Sequence, residues 1–152
     1  MADAARSLRL CTIGFTRTTA ESFFRRLVDA RVRRVIDVRL NNTSQLAGFA
    51  KAGDLAYFLR ALGAMDYVHE PLLAPTPDML SAFKKLKGDW AVYERQFLDL
   101  MDRRRIEERF SPDYFRDGCL LCSEAKPHRC HRRLVAEYLG ERWSVPVAVE
   151  HL

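Results

Sequence analysis

The chain has no long apolar run. Nothing in its 152 residues approaches the roughly 20 consecutive apolar positions that would span a bilayer. No membrane partner is therefore expected. After Met1 the run Ala-Asp-Ala-Ala-Arg-Ser has charge but no apolar core, so it does not read as an export signal. Residues 1–7 read as a frayed lead-in. Cysteine is scarce, at four residues, too few for a disulfide framework. Free thiols in a reducing cytoplasm are expected. Repeats, low-complexity tracts and linkers are all missing, so residues 1–152 are expected to form one domain. Only seven glycines and six prolines interrupt the chain, and those between periodic segments mark boundaries.

What is present is an ordinary globular composition, 48% apolar and 11% aromatic. Lys and Arg number 25 against 20 Asp and Glu, a net charge of +5. That excess suits anionic partners, small molecules or nucleic acid, without singling out either. The arginines at 31, 33 and 34 and at 103, 104 and 105 read as solvated faces. Oligomeric state has no signal in the sequence.

Leu8 to Ile13 reads as a first strand closed by Gly14. Thr18 and Glu21 form a capping box for a helix with Ala20, Phe23, Phe24, Leu27 and Val28 on one face. Arg33 to Val38 is a second, β-branched strand. Asp54 is expected to cap a second helix that ends near Gly63. Tyr67 to His69 is a weak third strand. Thr76 and Pro77 start a third helix, ended by Gly88. From Asp89 a longer helix is expected to run to about Glu108, stopped by Ser111-Pro112. Cys119 to Cys122 is a strand, Arg132 to Leu139 a helix ended by Gly140, and Pro146 to Val149 a last strand, at an edge because of its proline. Such alternation predicts an α/β fold, mainly a parallel sheet with helices on both faces.

The densest chemistry lies between Cys119 and Arg133, where three of the four cysteines and two of the four histidines fall within fifteen positions. In open parallel sheets, ligands bind beyond the C-terminal ends of the strands. The second strand ends in Asp37-Val38-Arg39, followed by Asn42 and Ser44. The third offers His69 and Glu70. The fourth offers Cys122 and Glu124, then Cys130, His131 and Arg132. Asp37, Glu124, Cys122, Cys130 and His131 are the candidate reacting groups. Arg39, Asn42, Ser44, His69 and Arg132 are the candidate ligand-binding groups.

These segments resemble the domain-of-unknown-function family 488. The likeness rests on Thr12-Ile13-Gly14-Phe15 with its capped helix, Ile36-Asp37-Val38-Arg39, the Ser44 to Lys51 loop, Tyr67-x-His69, and Cys122-x-Glu124 with Cys130-His131-Arg132. It covers nearly the whole chain in order. The resemblance implies a small bacterial or archaeal cytoplasmic α/β protein and no particular reaction. The family's marked positions correspond to Asp37, Arg39, Cys122, Glu124, Cys130, His131 and Arg132. Many relatives carry a proline after Asp-x-Arg, where this chain has Asn41-Asn42.

Three chemistries compete for the cluster. Cys119-x-x-Cys122 with Cys130-His131 offers four zinc ligands. In a strand, however, positions 119 and 122 face opposite ways, and adjacent Cys130 and His131 are expected to diverge. No cofactor is therefore expected, zinc being the minor alternative. Thiol catalysis is the second reading, because Cys122 ends a strand and Cys130 opens a helix flanked by arginines. The loop departs from a cysteine phosphatase, with His128 where the arginine should be, and Glu124 and Pro127 where glycines should be. Third, Asp37 and Glu124 could act as an acid–base pair beside an anion held by Arg39, His131 and Arg132. Against this stands a purely structural network, Asp37 with Arg132 or Glu124 with Arg39. An enzyme acting on an anionic substrate and a non-catalytic anion or nucleic-acid binding module both stay open.

Overall fold

The computed structural model describes residues 7–43, 48–124 and 126–152. Strands β1 (Leu8–Gly14), β2 (Arg34–Asp37), β3 (Asp66–His69), β4 (Gly118–Cys122) and β5 (Val147–His151) form one sheet in the order β3-β2-β4-β1-β5, with every pairing parallel. Helices α1 (Ala20–Asp29), α2 (Ala52–Gly63), α3 (Pro77–Lys84), α4 (Trp90–Arg104), α5 (Ile106–Arg109), α6 (Pro112–Phe115) and α7 (His131–Arg142) connect the strands. No described helix is long and apolar enough to cross a membrane.

Strand residues alternate between two cores, as a period of two requires. Leu10, Ile36, Leu120 and Cys122 pack with Phe97, Met101 and Leu134 of α4 and α7. Cys11, Ile13, Val35, Cys119 and Leu121 pack with Phe23, Leu27, Leu55 and Leu59 of α1 and α2. The expected α/β sheet covered on both faces is what forms. Strand β5 is an edge strand, and its preceding Pro146, which has no N–H, serves as an acceptor for Leu8 N at 2.8 Å.

Several boundaries differ from expectation. Thr19, not Thr18, caps α1 by accepting from Ser22 N, while the Thr18 hydroxyl accepts from Arg26 Nη2 at 3.2 Å. Helix α2 begins at Ala52, so Asp54 sits in its first turn and is not the cap. Ala64 (φ 53°), not Gly63, takes the left-handed turn after α2; a Cβ on Gly63 would come within 2.7 Å of Met65 Cε. Ser111-Pro112 opens the short α6, with proline in the first turn, where its missing N–H costs nothing. Gly140 lies inside α7.

The long helix expected to reach Glu108 stops at Arg104. Arg105 turns left-handed (φ 52°, ψ 49°), and its N–H donates to the carbonyls of Met101 and Asp102. The break lets Ile106 bury and brings Tyr138 OH to donate to Glu107 at 2.7 Å. Burial of that second segment, rather than local propensity, decides the turn. Arg105→Gly should leave stability unchanged or raise it by up to about 1 kcal/mol, since glycine adopts this conformation freely. In an uninterrupted helix the same change would cost about 1 kcal/mol, so a urea melt separates the two geometries.

Candidate functional site

The C-terminal ends of β2 and β4 open into a cavity of about 320 Å³. Its polar lining includes Arg39, Lys84, Cys122, Glu124, Arg129 and His131, joined by Cys130 at the start of α7. Leu80 and Phe83 of α3 and Trp90 and Tyr93 of α4 form an apolar wall. Trp90 stacks on Tyr93 at 5.2 Å, and Phe83 packs edge-on against Trp90 at 5.4 Å. The helical spacing of Trp90, Tyr93 and Phe97 points to core. Tyr93 and Phe97 are buried, whereas Trp90 stays half-buried on the wall.

Beneath the cavity lies a closed polar network. Asp37 is fully buried, and both of its oxygens are engaged. Oδ1 accepts from Arg39 N at 3.1 Å and Nε at 2.9 Å, and Oδ2 accepts from Arg39 Nη2 at 2.7 Å and Tyr67 OH at 2.6 Å. Asn42 Nδ2 donates to the Tyr67 hydroxyl at 3.2 Å, and His69 Nε2 donates to the Arg39 carbonyl at 2.8 Å. Burial opposes the Arg39 charge, but the Asp37 carboxylate more than offsets it, and the guanidinium holds its proton more tightly than usual. Burial, with Asp37 beside it, pushes the Tyr67 hydroxyl up to about 12. Arg39 is 3% exposed, and its Nη1 has no hydrogen-bond partner among the described residues.

Glu124, half exposed, pairs with Lys84 of α3. The alternative pairings Asp37–Arg132 and Glu124–Arg39 are thus replaced by Asp37–Arg39 and Glu124–Lys84. The short i,i+2 reach at the end of β2 gives Asp37 to Arg39. Arg132 points inward instead, fully buried and away from the cavity lining. Its Nε donates to Thr12 Oγ1 at 3.2 Å and its Nη1 to the Glu124 carbonyl. The Thr12 hydroxyl is also hydrogen-bonded to His151 Nδ1 at 2.6 Å, and His151 lies in the edge strand β5 beside it. This crossing explains Gly14. A Cβ there would lie 1.6 Å from the Glu124 carbonyl oxygen and 2.8 Å from Arg132 Nη1.

At the cavity floor, Cys122, Cys130 and His131 converge. Their sulfurs and a ring nitrogen lie within 4.8 Å of one another, and all three residues are buried. The expected divergence of Cys130 and His131 does not occur. Cys130 is extended (φ −140°, ψ 138°) as the N-cap of α7 and His131 is the first helical residue, so strand alternation does not apply between them. Cys119, by contrast, lies across the sheet in the other core, as the strand period requires. His131 Nε2 faces the Val38 carbonyl at 2.6 Å and must be the donor, which leaves Nδ1 without the proton in the neutral ring. Cys122 Sγ is 3.6 Å from Nδ1 and 3.9 Å from Nε2, so the sulfur lies beside the ring rather than on either nitrogen's axis.

Of the two facing thiols, Cys122 is the one that favours the thiolate. Its sulfur accepts from the Cys130 thiol and from the backbone of Ser123 and Glu124, with Arg132 near, and together these outweigh burial. Burial and its role as donor to Cys122 push Cys130 well up.

Five of the sequence-predicted residues line the cavity: Arg39, Cys122, Glu124, Cys130 and His131. Asp37, Asn42 and His69 lie in the supporting network. Arg132 lies behind the floor, and Ser44 lies outside the described residues. Lys84 and the aromatic wall had no sequence signal, because α3 reaches the site only through tertiary packing.

A parallel α/β sheet with a cavity at its strand ends, lined by thiols, an imidazole and cations, defines the class. The family model "Domain of unknown function DUF488" matches residues 19–139, most of the chain, and the protein belongs to that family. No curated protein and no solved structure matches it.

Asp37→Asn should destabilise by about 3–5 kcal/mol, the cost of stranding a buried charge, here Arg39. Gly14→Ala should also unfold readily, because a backbone carbonyl must move; thermal melts test both. Tyr67, like Tyr114 with its pKa of about 12, keeps in the native state a proton that the unfolded chain releases near pH 10. Their contribution is therefore complete below pH 10 and is lost as pH rises through 12. Urea midpoints should fall across that window, and less steeply in Tyr67→Phe.

Proposed function

We propose that the protein is a small enzyme that acts on an anionic substrate in this cavity. Cys122, Cys130 and His131 are the reacting groups, Glu124 exchanges a proton with the substrate, and Lys84, Arg129 and Arg39 attract the anion. The observation that carries this reading is the convergence of a thiolate-favouring cysteine, a second thiol and an imidazole at the floor of a cavity rimmed by cations. Perturbed ionisable groups in a cleft at the strand ends are the usual mark of a reaction site. The Nη1 of buried Arg39, without a partner among the described residues, adds a donor that can face an anion. Concavity and the apolar wall favour a small molecule over a nucleic-acid backbone, which would call for an open basic face. Phosphate esters and nucleotides are the substrate class that suits this mixture of cations and aromatic surface.

Calorimetric titration with phosphate, mononucleotides and short oligonucleotides at two salt concentrations tests the binding. Saturable one-to-one binding of a small anion is expected, weakened in Arg129→Ala by roughly 1.5–3 kcal/mol if that contact is direct. Turnover of a phosphoester panel should vanish in Cys122→Ala while binding persists. If only oligonucleotides bind, with steep salt dependence and no turnover, the chain is a binding module instead.

A further inference from the structure

We propose that Cys122, Cys130 and His131 bind a thiophilic divalent ion of the zinc class, leaving one coordination position open to the cavity. Three observations carry this. The first is the donor set. Two thiols and an imidazole are the groups that zinc prefers, and the structure places them within 4.8 Å of one another. Donors around a tetrahedral zinc, at about 2.3 Å for sulfur and about 2.0–2.1 Å for nitrogen, stand roughly 3.5 Å apart. Cys122 Sγ and His131 Nδ1 are 3.6 Å apart.

Second, the surroundings already match a ligating histidine. A metal-bound imidazole usually donates its other N–H to a carbonyl or carboxylate that fixes its tautomer. His131 Nε2 makes that bond to the Val38 carbonyl. The Arg132 guanidinium reaches Cys130 Sγ at 3.8 Å, an N–H···S contact from behind the floor that can remain when the sulfur is ligated. Loading the site requires the imidazole to swing Nδ1 off the flank of Cys122.

Third, the donors number three among the described residues. Cys119 faces the opposite core and cannot close the shell. Structural zinc sites are closed by four protein ligands, whereas three ligands with a vacant position are the catalytic pattern. All three donors line the cavity, as does Glu124, so a water or substrate oxygen on the ion would sit within the same space as that carboxylate. With the ion bound, the three side chains act through it and not as free thiols and imidazole; that use of the ion deepens the proposed function and rests on it, but the binding of the ion does not depend on it.

The test is titration of the reduced, chelator-treated full chain with Co²⁺ and then Zn²⁺. One Co²⁺ per chain is expected, with a sulfur-to-cobalt charge-transfer band and the visible absorption of a tetrahedral ion, displaced by Zn²⁺. Cys122→Ser and Cys130→Ser should each weaken binding by at least about tenfold and reduce the charge-transfer intensity. Cys119→Ala should change neither. Zn²⁺ should also protect wild-type Cys122 from alkylation, which gives a readout if a serine variant fails to fold. Absence of saturable Co²⁺ binding, loss of it in Cys119→Ala, or alkylation unaffected by Zn²⁺ would overturn the site. Metal binding without turnover of any anion would remove the enzymatic reading and leave the ion site standing. Turnover by chelated protein would keep the enzymatic reading and overturn the use of the ion in it, whereas the binding of the ion stands or falls on the titration alone.

Discussion

The buried guanidinium of Arg132 is the tie on which the candidate site depends. From the first turn of α7 it reaches back to Thr12 in the middle of β1 and to the carbonyl of Glu124 in the loop after β4. Those bonds fix the start of α7 against two central strands, and so fix Cys130 and His131 against Cys122. The space for the crossing exists because residue 14 has no side chain. The consecutive carbonyls of Ser123 and Glu124, just after β4, serve different partners. Ser123 accepts from the backbone of Phe15 and Thr16, and Glu124 accepts from Arg132. A short loop held at both ends keeps the two thiols facing each other.

A second network supports the neighbouring strand. Asp37, Arg39, Tyr67, Asn42 and His69 are linked by hydrogen bonds below the cavity. A buried ion pair of this kind is weak evidence for net stability, because desolvation opposes the attraction. Its consequence here is positional. Arg39 is held close under the cavity with one nitrogen unused, and Val38, between the paired residues, presents its carbonyl to His131. The two networks thus meet at the imidazole.

The cavity's contrast of surfaces has a similar origin. Its floor of thiols and imidazole comes from the end of β4 and the start of α7. The aromatic wall and Lys84 come from α3 and α4, which lie over those ends. Local sequence carries no trace of that closure. Lys84 reads as one more solvated lysine, and Glu124 finds it only across forty positions.

Much of the architecture was legible because it depends on short-range periodicity. Alternating strands and amphipathic helices implied a parallel sheet covered on both faces. Pro146, unable to donate, implied an edge. The two-residue strand period separated Cys119 from Cys122. The rule that ligands gather beyond parallel strands grouped Arg39, Cys122, Glu124, Cys130 and His131 at one end of the sheet, where the cavity opens. Contacts between segments distant in the chain had no such period to reveal them. They drew Arg132 inward through the gap at Gly14, away from Asp37, and broke the long helix at Arg105 so that Ile106 could bury. They also brought Cys130 and His131 together, because an N-cap turns the backbone out of the strand geometry that the residue order suggests. Side-chain pairing in a packed interior follows from which groups three-dimensional packing makes neighbours, and linear spacing carries that information only within one element.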